Sequence, residues 1–174
     1  MTPAILAAQR AKIWFEVREY PHDPSAPSYG GEAAEVLGLD SRVVFKTLVA
    51  ATDAGRLVVA LVPVARTLNL KGLAAAVAAK RVDMADAAAA ERATGYVVGG
   101  ISPLGQRKRL PMVIDSSALG LEAMYVGAGR RGLELALRPA DLIRLCAATT
   151  SAIARYCGVD ECWKHQVDPA VQPM

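Results

Sequence analysis

Two valine-rich runs, Val43–Ala50 and Leu57–Val64, flank the link Thr52-Asp53-Ala54-Gly55 and constrain this chain more than any other feature. Branched apolar residues suit a pleated, buried surface and the link carries a turn glycine, so the pair predicts a β-hairpin. The second run extends to Ala65 as the longest uncharged apolar stretch, nine residues with Pro63 inside it. A membrane-spanning helix needs about 20 apolar residues, so this stretch does not span.

Other elements follow from local pattern. Thr2-Pro3 reads as an N-cap with proline at the first helical position, and Ile5, Leu6, Gln9 and Ile13 continue in helical rhythm. Alternation over Trp14–Tyr20 predicts a half-buried strand, and the proline- and glycine-rich PHDPSAPSYGG a loop. Glu32–Leu37 reads as a short helix closed by Gly38. Leu68–Ala79 and Ala87–Ala93 are alanine-rich helices separated by a strand at Arg81–Met84. Further strands are expected at Met112–Asp115, Ala123–Val126 and Leu133–Leu137, then a helix from Pro139 to about Ala148. Helices and strands mix without strict βαβ alternation. The expected class is α+β: a compact single domain with a central mixed β-sheet, a partial barrel, flanked by helices.

With 174 residues and a typical domain of roughly 150, one domain is expected. Its body is read as residues 1–150, with 151–174 a partly disordered extension that frays at DPAVQPM. Hydrophobic residues at 53% can build a core without disulfides or a structural metal. The three cysteines, an odd number near the C-terminus, suit a reducing compartment, and no secretory pattern opens the chain, so the expected address is the cytoplasm.

Composition narrows the chemistry. Only His22 and His165 are available to a serine triad, and no G-x-S-x-G is present. Neither a P-loop nor a dinucleotide fingerprint occurs, so no nucleotide cofactor is expected. Cys157, Cys162 and His165 fall short of four strong zinc ligands, so no metal is expected either. Net charge is 20 − 17 = +3, too small for a nucleic-acid tail, and DNA is not an expected partner.

Three features retain functional interest. Lys46 shares a strand row with Val44, Leu48 and Ala50. It is either an edge lysine that snorkels to water or a cation at a pocket rim, and spacing does not choose. The Gly99–Gly105 loop can expose backbone N–H groups to an oxyanion or phosphate, or merely connect a helix to a strand. The basic groups Arg107-Lys108-Arg109 and Arg130-Arg131 suit weak RNA-backbone contact, and aromatic residues at 5% exclude an extensive base-stacking platform.

In combination these motifs become specific. YPHDP at Tyr20–Pro24, VFKTLV at Val44–Val49, LNLK at Leu68–Lys71, VDMAD at Val82–Asp86, TGYVVGGISPLGQRKR at Thr94–Arg109 and YVGAGRRGLEL at Tyr125–Leu135 resemble the YbaK/EbsC family of trans-acting aminoacyl-tRNA editing proteins. The resemblance runs from Thr2 to about Ala148 and is greatest to YbaK-type deacylases of Cys-tRNA(Pro). It implies a fold like the editing domain of prolyl-tRNA synthetase, hydrolysis of cysteine wrongly attached to proline tRNA, and a transient complex with that synthetase. Lys46, Gly99 and Gly100 would then act on the ester, the two glycines as N–H donors. Tyr20, His22, Thr47, Ile101, Ser102 and Gly127 would bind substrate. Gly127 departs from the family pattern, which has serine in that turn. Specificity for alanine or another small residue, a non-catalytic tRNA- or synthetase-binding module, and a Schiff-base lysine remain alternatives at this stage.

Overall fold

The structure is a computed structural model that describes residues 1–156; Cys157, Cys162 and His165 lie outside the described residues. The expected hairpin forms: β2 (Phe45–Thr52) and β3 (Leu57–Pro63) pair antiparallel from Phe45↔Pro63 to Ala51↔Leu57. Gly55 turns the link at φ +79°, and the Thr52 hydroxyl accepts the Arg56 N–H at 3.1 Å. Strands β5 (Val82–Met84), β6 (Met112–Asp115) and β9 (Thr149–Ser151) complete a five-stranded sheet in the order β5-β2-β3-β6-β9, with β3-β6 and β6-β9 parallel.

A second, antiparallel sheet has the order β1-β8-β7, from β1 (Phe15–Glu19), β7 (Met124–Gly127) and β8 (Leu133–Leu137). A single parallel bridge, Val44↔Tyr125, joins it to the hairpin. The sheet is mixed and open, with β5 and β9 as edges, so it does not close into a barrel. The expected half-buried first strand proves largely exposed, Val17 at 41%, because β1 is an edge that carries little of the core.

Apolar residues fill both sides of the five-stranded sheet, which explains why β3 reads as a continuous run rather than an alternation. Phe45, Val49, Val59, Leu61 and Ile114 face one core with Leu133, Leu135 and Leu137. Helix α1 (Pro3–Arg10) adds Ala4 and Ala8, α4 (Ala87–Thr94) adds Ala90, and α5 (Pro139–Cys146) adds Leu142. On the other side Ala50, Val58, Ala60, Val62 and Val113 pack with Leu73 and Ala74 of α3 (Leu70–Ala76). That helix begins two residues later than its periodicity suggests. Arg66–Leu68 is instead strand β4, and Asn69 caps the helix through its side chain to the Gly72 N–H.

The body continues past residue 150. Strand β9 pairs with β6, β10 (Ala154–Tyr156) pairs with β4, and Ile153 between them is fully buried. Asp115, 3% exposed, makes this attachment: Oδ1 accepts the N–H groups of Ile153 and Ala154, both at 3.0 Å, and Oδ2 accepts that of Ser117. Such a side-chain bridge leaves no periodic signal. Asp115→Ala orphans these N–H groups and is expected to cost about 3 kcal/mol, read as a lowered urea midpoint. An unchanged midpoint would show that the segment is not held this way. Among the described residues no helix is long and apolar enough to cross a membrane.

Candidate active site

The helix that roofs the site is the one least legible in sequence. Helix α2 (Tyr29–Val36) opens three residues into the predicted loop, with the Ser28 hydroxyl accepting the Gly31 N–H at 3.1 Å. Gly30 is required there because a Cβ would collide with the Val64 side chain, and it would lie 3.9 Å from the Lys46 Cβ. Its neighbour Tyr29 lays its ring on Gly99, where a Cβ would come within 2.8 Å of three ring atoms. Consecutive residues of α2, with Cα atoms about 3.8 Å apart, therefore face the Lys46 stem and the glycine loop.

Strand parity supplies the floor. Beyond the Val44↔Tyr125 bridge, two residues along each parallel strand, come Lys46 and Gly127, on the faces of Val44 and Tyr125. Gly127 in turn pairs with Glu134 on β8. Tyr20, Ala33, Ala34, Val44 and Val64 form an apolar cluster on this side, with Tyr125 against it. Lys46 is half-buried within this arrangement.

Glu134 is the residue that the sequence reading missed. It is 7% exposed, its Oε2 has no hydrogen-bond partner among the described residues, and burial pushes its carboxyl up to about 8. Tyr20 is 6% exposed; burial, then the negative charges of Glu134 and Glu32, hold its phenol well above the usual range. The one available signal is a glutamate in the apolar run LELAL, indistinguishable by alternation from a residue facing solvent.

The wall is the loop 97–102. Gly99 adopts φ +89°, and Gly100 abuts the turn after β7, where a Cβ would lie 2.7 Å from the Arg130 Cα. The Gly100 N–H already donates to the Val97 carbonyl at 2.9 Å, so it is not the donor expected of it. The N–H groups of Gly99 and Ile101 have no acceptor among the described residues. Ser102 does not line the site: it is fully buried, and its hydroxyl accepts the Leu104 N–H at 3.2 Å. His22 braces the entry loop through Nδ1 to Glu32 Oε2 at 2.8 Å, with its ring 5.6 Å from that of Tyr29. Alternation puts Thr47 on the opposite face from Lys46, with Phe45 and Val49, and its buried hydroxyl has no partner among the described residues. Cys146 lies behind the loop, where burial pushes its thiol up to about 11 and Sγ donates to the Pro103 carbonyl. It stays a neutral thiol.

Gly127 has a spatial reason. A Cβ there would stand 2.6 Å from the Ile101 carbonyl oxygen, so serine would displace the loop. Gly127→Ser is expected to lower stability by about 2 kcal/mol. Thermal denaturation checks this, and an unchanged midpoint would mean that the loop yields freely.

Comparison with known proteins shows the family and the fold. The aminoacyl-tRNA editing domain family matches residues 23–145. The chain belongs to this family. A relative in Enterococcus faecalis, the candidate Cys-tRNA(Pro)/Cys-tRNA(Cys) deacylase EbsC, is 38% identical over 145 residues, covering 83% of this chain and 87% of its own. A solved structure of a candidate trans-editing enzyme for prolyl tRNA synthetase superposes with a TM-score of 0.77 at 23% identity, covering 88% of this chain and 95% of its own. At that identity it speaks for the fold. In this editing domain Lys46, Gly127 and Glu134 share one strand face, with loop 97–102 and α2 packed beside it.

Proposed function

We propose that this editing domain hydrolyses the aminoacyl ester of mischarged tRNA, with Cys-tRNA(Pro) as its substrate. The observation that carries the reading is the placement of Lys46 on one face with Gly127 and Glu134, beside a loop with uncommitted Gly99 and Ile101 N–H groups. An aminoacyl ester on ribose is already activated, so positioning and charge stabilisation suffice where no strong nucleophile is available. Lys46 Nζ and the free N–H groups meet the carbonyl oxygen as it gains negative charge, and Tyr20 closes the aminoacyl side.

The attacking group is the substrate's own thiol. It loses its proton, and its sulfur bonds to the carbonyl carbon. The bond from that carbon to the ribose oxygen breaks, and that oxygen takes up a proton. Water then opens the cyclic thioester to free cysteine. Glu134, protonated into the neutral range, is a proton store on the same face. A net charge of +3 gives weak binding to tRNA alone, which suits a transient complex with prolyl-tRNA synthetase. Release of amino acid from proline tRNA charged with cysteine, alanine or serine tests the reading. Rapid release of cysteine alone is expected. Equal release of alanine would replace the thiol mechanism, and no release would leave a binding module.

A further inference from the structure

We infer that Arg131 is the phosphate-binding residue of this site, its guanidinium gripping a backbone phosphodiester at the 3′ end of the RNA that carries the ester. The inference rests on the editing reading above and adds to it the residue that holds the nucleic acid. Arg131 is exposed, in the turn between β7 and β8, and two contacts hold it against the loop wall. Its Nε donates to the Val98 carbonyl at 3.0 Å, and its guanidinium carbon lies 5.1 Å from the centroid of the Tyr29 ring, the ring that rests on Gly99. The backbone beneath it is fixed too, since only a glycine at position 100 lets the loop approach the Arg130-Arg131 main chain.

Nε is thus anchored, while the two terminal nitrogens have no hydrogen-bond or carboxylate partner among the described residues. Arg130 next to it differs, because its guanidinium is paired with Glu19 at 2.7 Å. A planar fork held against an aromatic ring loses little rotamer freedom on binding and matches two phosphate oxygens at once. Its place beside Gly99 sets that phosphate one short step from the ester, and a nucleic-acid ester carries a phosphodiester at that remove from its acyl group. Lys46 is then left to the carbonyl oxygen rather than shared with the RNA backbone.

Binding of an uncharged RNA hairpin ending in single-stranded CCA tests this without turnover. Affinity is measured between 50 and 300 mM KCl, concentrations spanning roughly the range over which phosphate contacts weaken steeply. Arg131→Ala is expected to weaken binding about tenfold at low salt and to flatten the slope of log affinity against log salt by about 0.7, the share of one phosphate in a single strand. Arg131→Lys should restore the slope but only part of the affinity, because it keeps the charge and loses the fork. Arg130→Ala should change affinity less than about twofold, as expected of an exposed, already paired arginine. An unchanged slope in Arg131→Ala, or an equal effect from Arg130→Ala, would overturn the inference. Failure of the wild type to release cysteine would instead count against the editing reading, and the hairpin measurement would still judge Arg131.

Discussion

Lys46→Ala is expected to lower deacylation of Cys-tRNA(Pro) at least about 100-fold while the protein stays folded, the size of loss that follows removal of one preorganised donor to an oxyanion. Lys46 is half-buried on β2, with Val62 opposite on β3 and Gly30 of α2 above its stem. Alanine keeps the strand pairing with Val62 and removes only the side chain beyond Cβ. The fall should therefore appear in kcat, with the urea midpoint moved little. Lys46→Arg should not restore the rate, since a wide planar fork does not replace a compact ammonium. Wild-type turnover in Lys46→Ala would remove this residue from the chemistry. A turnover loss matched by unfolding would show a role in holding α2 to the sheet.

The second large effect concerns Glu134 and is one of stability. Its carboxyl is raised by burial from the ordinary 4.5 to about 8. Between those values the folded protein keeps a proton that the unfolded chain has released. Stability is therefore full below pH 4.5, falls as pH rises toward 8, and levels off above it. The total loss is on the order of 5 kcal/mol. Glu134→Gln stays neutral throughout, so it should lie close to the wild type at pH 5 and be clearly the more stable at pH 8. Urea midpoints at pH 5, 6.5 and 8 measure the difference, and parallel curves would show that this carboxyl does not titrate in that range.

Legibility in the sequence followed how local the cause was. The hairpin, the strands at Met112, Met124 and Leu133, and the Pro139 helix were readable because branched residues, turn glycines and a helix-starting proline act within a few positions. Lys46 and the glycine loop stood out for the same reason. Helix α2 was hidden because Gly30 and Gly31 resemble a loop, and the demand for glycine comes from Val64 on another strand. The Gly100 N–H reads as an open donor, whereas the Val97 carbonyl accepts it in a turn that spacing does not reveal. Glu134 reads as an ordinary strand glutamate, because its burial comes from tertiary packing that alternation does not report. Ile153 and the start of β10 are tied down by one carboxylate, Asp115, reaching across the fold.

The pairing of β1 with β8 bears on how the molecule is made. Val17 meets Leu135, so the first strand leaves the ribosome over a hundred residues before the one strand that pairs with it among the described residues exists. The edge strand β9 emerges later still, beside a β6 that has waited for it. A nascent chain of this kind can form its central hairpin early but cannot complete either sheet until strands more than a hundred residues after β1 have emerged. In that interval the unpaired edge of β1 is the surface that a chaperone would meet.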